Sequence, residues 1–178
     1  MNALTVEHPG PLLPGAPHFR LDLPEGWHVA PAPRALAVAR PTEPVTGFQP
    51  NLTVTADLVP AGTTPDQVLD AMLAQYPGEA GRTDAADTRT GADESADDPS
   101  ATTTPATSAT AHLSRPHTSG TVHQRVDVHV DATPLPGGHR HAVTVVSSWS
   151  ATTPTDLRDA LAAAHTSVRI GAADPVRA

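Results

Sequence analysis

Between Asn51 and Val59 apolar and polar residues alternate without a break. Leu52, Val54, Ala56 and Leu58 fall on one side; Thr53, Thr55 and Asp57 fall on the other. Period two over this length marks a β-strand with one face against a core. The constraint is tight, because a slip of one residue would turn every apolar side chain to water. The same period recurs along the chain. Phe19, Leu21 and Leu23 interleave with Arg20 and Asp22, predicting a strand over about 18–23. Pro24 and Gly26 then turn the chain, and Trp27 anchors that turn on the core. Further strands are expected over about 35–40 (Leu36 and Val38 on one face), 110–114, 121–131 and 139–149. In the strand 121–131, Val122, Val126, Val128 and Val130 share a face with Gln124. His123, Arg125, Asp127, His129 and Asp131 share the other. Pro134 to Gly138 joins the last two strands as a hairpin loop of several residues.

Two segments switch to helical spacing. Thr64-Pro65-Asp66-Gln67 supplies an N-cap, a proline at N1, a first-turn acid and a glutamine at N3. Val68, Leu69, Met72, Leu73 and Tyr76 follow at helical intervals, and Pro77-Gly78 ends the run. Thr153-Pro154-Thr155-Asp156 repeats the capping pattern ahead of Leu157, Ala160, Leu161, Ala164 and Val168. Gly171 stops this second helix.

The stretch 79–109 has seven acids, two arginines, and no Val, Leu, Ile or aromatic residue. Such a segment buries too little apolar surface to offset its ordering entropy. It is expected to be a disordered acidic insert inside one domain spanning 18–170. Residues 1–17 form a flexible arm in this reading, and 171–178 a tail. The expected fold is α+β: a single mostly antiparallel sheet in the order βββ-α-βββ-α, with both helices over one apolar side.

Composition narrows the function. The net charge is −8, and all 11 basic residues are arginine. No basic stripe is present to neutralise phosphates, so nucleic acid is excluded as a partner. Cysteine is absent, which removes disulfides, thiolate metal sites and cysteine nucleophiles. The first ten residues lack the basic and apolar regions of a secretion signal. No apolar run reaches the roughly 18 residues of a membrane span. The expected location is the cytoplasm.

The run from Phe19 to Trp27, the segment Phe48-Gln-Pro-Asn51-Leu52 opening a strand, and the element order resemble the LpqN/LpqT-type family of actinobacteria. That family is similar to the wider Mog1/PsbP-like fold. The resemblance covers about 18–170 with the insert set aside. It implies an antiparallel sheet with helices packed against it, no established enzymatic activity, and an accessory or partner-binding role. Many members are exported lipoproteins; this chain has no lipobox cysteine.

The function expected is therefore a non-enzymatic protein-interaction module, adaptor or chaperone-like and linked to secretion, that holds a protein partner and needs no cofactor. Trp27, Phe48 and Asn51 are the candidate partner-binding residues. Phe48 sits in a Pro- and Gly-flanked loop, where a ring either staples the sheet or anchors a partner. Asn51 after Pro50 also starts the strand by bonding its own backbone. The alternative is a small-molecule or metal-binding protein using the His-rich hairpin 121–149. His123, Asp127, His129, His139 and His141 are the candidate ligands there, provided the register sets His129 opposite His139 or His141. No G-x-S-x-G, H-E-x-x-H or G-x-G-x-x-G occurs, and a P-loop lacks its lysine. A Ser-His-Asp set drawn from Ser147, Ser148, His141 and Asp127 has no nucleophile elbow, so an enzyme is not expected.

Overall fold

A computed structural model describes residues 15–30, 32–76, 79–83 and 108–170. Among the described residues nine strands and two helices occur in the order β1 (Phe19–Arg20), β2 (Trp27–Ala30), β3 (Ala37–Pro41), β4 (Asn51–Pro60), α1 (Pro65–Leu73), β5 (Glu79–Thr83), β6 (Ser108–His117), β7 (Gly120–Val130), β8 (His139–Ser150), α2 (Thr155–Ser167) and β9 (Arg169–Ile170). Seven strands form one antiparallel sheet in the order β2-β3-β4-β8-β7-β6-β5. The short strands β1 and β9 pair with each other, Phe19 opposite Ile170.

The α+β class and the single large sheet agree with the sequence. The placement of the helices does not. Directly paired residues of an antiparallel ladder share a face. Val54 pairs with Val145, and both belong to the core that contains Leu161 and Ala164 of α2. Val126 pairs with Val146, and these pack with Leu69 of α1. Val145 and Val146 are neighbours in one strand, so their side chains point to opposite sides. One helix therefore covers each face: α1 lies over β6 and β7, α2 over β8 and β4. The physical reason is β8, which is apolar on both sides through Val143 and Val145 and through Ala142 and Val146. Such a strand needs two covers.

The first helix begins as its sequence dictates. Thr64 Oγ1 accepts from the Gln67 amide at 3.3 Å, and Gln67 Oε1 accepts from the Thr64 amide at 2.9 Å. The second does not follow that pattern. Pro154 is its N-cap and no side chain caps it. Thr153 Oγ1 instead accepts from the Ser150 amide at 3.0 Å, closing the turn after β8.

Trp27 packs on the core as expected and also opens a strand, β2, that was not expected from the sequence. The Trp27 amide donates to Pro24 O at 3.3 Å across a turn whose third residue, Gly26, has φ +77°. Trp27 then opens an edge strand opposite Pro41. Two parts of the segment 79–109, expected to be disordered, are strand instead: residues 79–83 form β5 and 108–109 start β6. Strand β5 has no apolar pattern because an edge strand draws its order from one ladder, here with β6. Residues 84–107, the arm 1–14 and the tail 171–178 lie outside the described residues. Gly15 of the expected arm touches the sheet, with its carbonyl 3.0 Å from His141 Nε2.

Candidate functional site

The polar side of β7 meets the sheet face that α2 covers. His123, Arg125, Asp127 and His129 project there, next to Trp149, Ser147, Val145 and Val143 of β8 in turn. The His123 and Trp149 rings stack at 6.1 Å with planes 30° apart. Above Ser147 sits His165 of α2, one turn after Leu161 and beside Ala164, so it shares the buried stripe of the helix. Ser147 is 2% exposed and His165 3%. Ser147 Oγ lies 2.5 Å from His165 Nδ1. His165 Nε2 lies 3.0 Å from Asp127 Oδ2, off the axis of a well-aligned hydrogen bond. Arg125 grips the same carboxylate from the side, Nη2 to Oδ2 at 2.8 Å and Nε to Oδ1 at 3.3 Å.

The electrostatics follow from that packing. Burial alone would push the Asp127 carboxyl up. The His165 and Arg125 contacts and their charges outweigh it and hold the group well below the usual carboxylate range. Burial pushes the His129 imidazole down; Asp127 opposes this, and His165 and Arg125 add to it. Beside this cluster opens a cleft of about 390 Å³ between α2 and the sheet. Ser147, His165 and Arg125 line it, with Trp149 and Leu161 as apolar wall and Arg158 along the helix.

The candidate metal ligands do not converge. The register places His129 opposite Val143, not opposite His139 or His141. His123 stacks on Trp149, Asp127 is held by Arg125 and His165, and His139 is exposed at the start of β8. His141 sits 3.3 Å from Asp131 and 3.0 Å from the Gly15 carbonyl. Among the described residues no three His, Cys, Asp or Glu side chains group to hold a metal.

The candidate partner-binding residues lie at one end of the sheet, where β2 and β4 start and β3 ends. Trp27 is half-buried and packs on the α2-side core. Phe48 meets His117 edge to face at 5.5 Å. Asn51 Nδ2 donates to Gln49 O at 3.2 Å, which shapes the start of β4. Gln49 ties the loop before it, accepting from the Val45 amide at 2.8 Å and donating to Pro41 O at 3.2 Å. The residue that sequence reasoning missed is His165. Its signal was available: it lies four positions after Leu161, on the apolar stripe.

No family model matches the chain, and no curated protein matches it in sequence. Among solved structures, LpqN of Mycobacterium tuberculosis superposes with a TM-score of 0.58, at 18% identity. The match spans 88% of this chain and 85% of that one. The fold is LpqN-like. LpqN is described as involved in cell envelope biogenesis. At this identity the likeness extends to architecture alone, and the LpqN-like sheet and helices are what carry the cleft. No helix among the described residues is long and apolar enough to cross a membrane.

Proposed function

We propose that this chain is an LpqN-like accessory protein that binds a protein partner, as an adaptor or chaperone-like component, in the building of an actinobacterial cell envelope. One observation carries the reading: the LpqN architecture extends over 88% of the chain, and LpqN is involved in cell envelope biogenesis. The partner surface is the sheet end bearing Trp27, Phe48 and Asn51. There the loop 42–50 presents a ring on a backbone already fixed by Gln49, so little ordering entropy is lost on docking. The protein works from the cytoplasmic side in this reading, linked to secretion of envelope components.

Photo-crosslinking in the native cell tests it. A benzoyl-phenylalanine in place of Phe48 should give one discrete crosslinked product containing an envelope-assembly protein. The same probe in place of His139, at the opposite end of β8, should give none. No product from position 48, or the same product from both positions, overturns the assignment.

A further inference from the structure

We propose that Ser147 is a nucleophile that accepts an acyl group from a carboxylic ester seated in the cleft beneath α2, with His165 as its base. This goes beyond the partner-binding role and does not depend on it. Three elements bring the set together: Asp127 from β7, Ser147 from β8 and His165 from α2. Ser147 Oγ lies 2.5 Å from Nδ1 of the imidazole and Asp127 Oδ2 lies 3.0 Å from its Nε2, so the two partners address the two ring nitrogens. A nucleophile in reach of a base that a third group orients is the general pattern of activated serines.

The proton bookkeeping fixes each role. The Asp127 carboxylate faces Nε2 at 3.0 Å, so the tautomer that serves this step carries its proton on Nε2. Nδ1 then holds a lone pair directed at the Ser147 hydroxyl, which donates to it. The nitrogens are exchanged relative to the familiar serine hydrolases, but role follows from geometry rather than atom name. As Oγ bonds to the ester carbonyl carbon, the hydroxyl proton passes to Nδ1. When the C–O bond to the leaving alcohol breaks, that proton goes to the alcohol oxygen. Water, deprotonated by the same nitrogen, then releases the carboxylic acid and restores Ser147. The Ser147 amide lies inside the ladder of a central strand, between β4 and β7, so it offers no oxyanion donor. Arg125 supplies the positive charge instead. It stands directly opposite Ser147 on the same face and lines the same cleft. Trp149 and Leu161 give the acyl chain an apolar wall. Asp127 is a positioning residue, and the loose His165–Asp127 angle is of the kind that tightens when substrate seats.

A fluorophosphonate probe tests the assignment on the full-length protein. Oγ should displace fluoride from phosphorus, with its proton taken by His165. The expected result is one adduct per chain by intact mass, mapped to Ser147 by peptide mass spectrometry. Mapping on the unmodified sequence removes dependence on whether a variant folds. Ser147→Ala should abolish the adduct. Asp127→Asn should slow labelling at least tenfold and shift its pH profile, with Asp127→Glu restoring part of the rate. Absence of any adduct, or an adduct on Ser148, Ser150 or Thr155, overturns the proposal and leaves the partner-binding role standing.

Discussion

Helices α1 and α2 close two cores against one sheet, and the two interfaces are built from different materials. Under α1 the contact is hydrocarbon: Leu69 is fully buried among Ala111, Leu113, Val126 and Val128, with Val68, Met72 and Leu73 around it. Under α2 the apolar half, Leu161 and Ala164 on Val54, Val143 and Val145, runs straight into Ser147, His165 and Asp127. Strand β7 explains the difference. It sends four valines to the α1 face and a row of His, Arg and Asp to the other. A buried polar set costs desolvation unless every member is paired, so it is retained for specificity or chemistry more readily than for stability. The dry interface holds the fold, and the wet one holds the cleft.

Leu69→Ala should break the dry side most severely, by about 2–5 kcal/mol in chemical denaturation, because the site is enclosed and collapses poorly. A loss under 1 kcal/mol would mean that α1 is a loose cover. Asp127→Asn probes the wet side and should cost about 1.5–3 kcal/mol, the range for hydrogen bonds to charged groups. The same variant should change the acid limb of stability. The Asp127 pKa is lowered in the fold, so its contribution is present above the ordinary carboxylate value and is lost as pH falls below it. His129, also lowered, adds a loss as pH drops below the usual imidazole value, because the unfolded chain takes up that proton first. Melting temperature against pH should therefore fall on the acid side in two stages, and Asp127→Asn should remove the lower one.

Smaller effects separate the helix starts. Thr64→Ala deletes a working cap and should cost about 1 kcal/mol. Thr155→Ala, at a helix start with no side-chain cap, should stay within about 0.5 kcal/mol. Equal losses would show that the two starts are equivalent after all. The smallest effect is alkaline. Burial raises the Tyr76 phenol on the α1 side, with Arg115 opposing it. Its contribution is present below the ordinary tyrosine value and is lost as pH rises through the folded one, so Tyr76→Phe should flatten the alkaline limb slightly.

Alternation was enough to place β4 and β7, because each of these strands has a face that must stay dry, and β8 showed as a run rich in Val and Thr. The α1 cap was legible for a local reason: Thr64 and Gln67 satisfy each other's backbone without help from the rest of the chain. Strands β2 and β5 were not legible. They are edges, held by one ladder apiece, and Glu79–Thr83 needs no apolar pattern to pair with β6. The division of the helices between two faces was written in Val145 and Val146. A run of apolar residues, though, does not say which neighbour each side will meet. The site fared worse. Asp127 and Ser147 lie 20 residues apart on one hairpin, but their partner His165 belongs to a helix whose docking angle no local spacing encodes. Of the histidines that do cluster in sequence, His141 was drawn instead to the Gly15 carbonyl and the Asp131 carboxylate, and His139 stays exposed.

Strand β8 separates the two cores with the thickness of a single backbone. Its backbone is paired with β4 on one side and β7 on the other, so its amides stay held in two ladders whichever helix lifts. Deuterium should enter the Val143–Ser147 amides only through whole-molecule unfolding, more slowly than anywhere else in the protein. Whatever occupies the cleft beneath α2 therefore presses on the most rigid surface the molecule has, and any displacement it causes must be taken up by the helix.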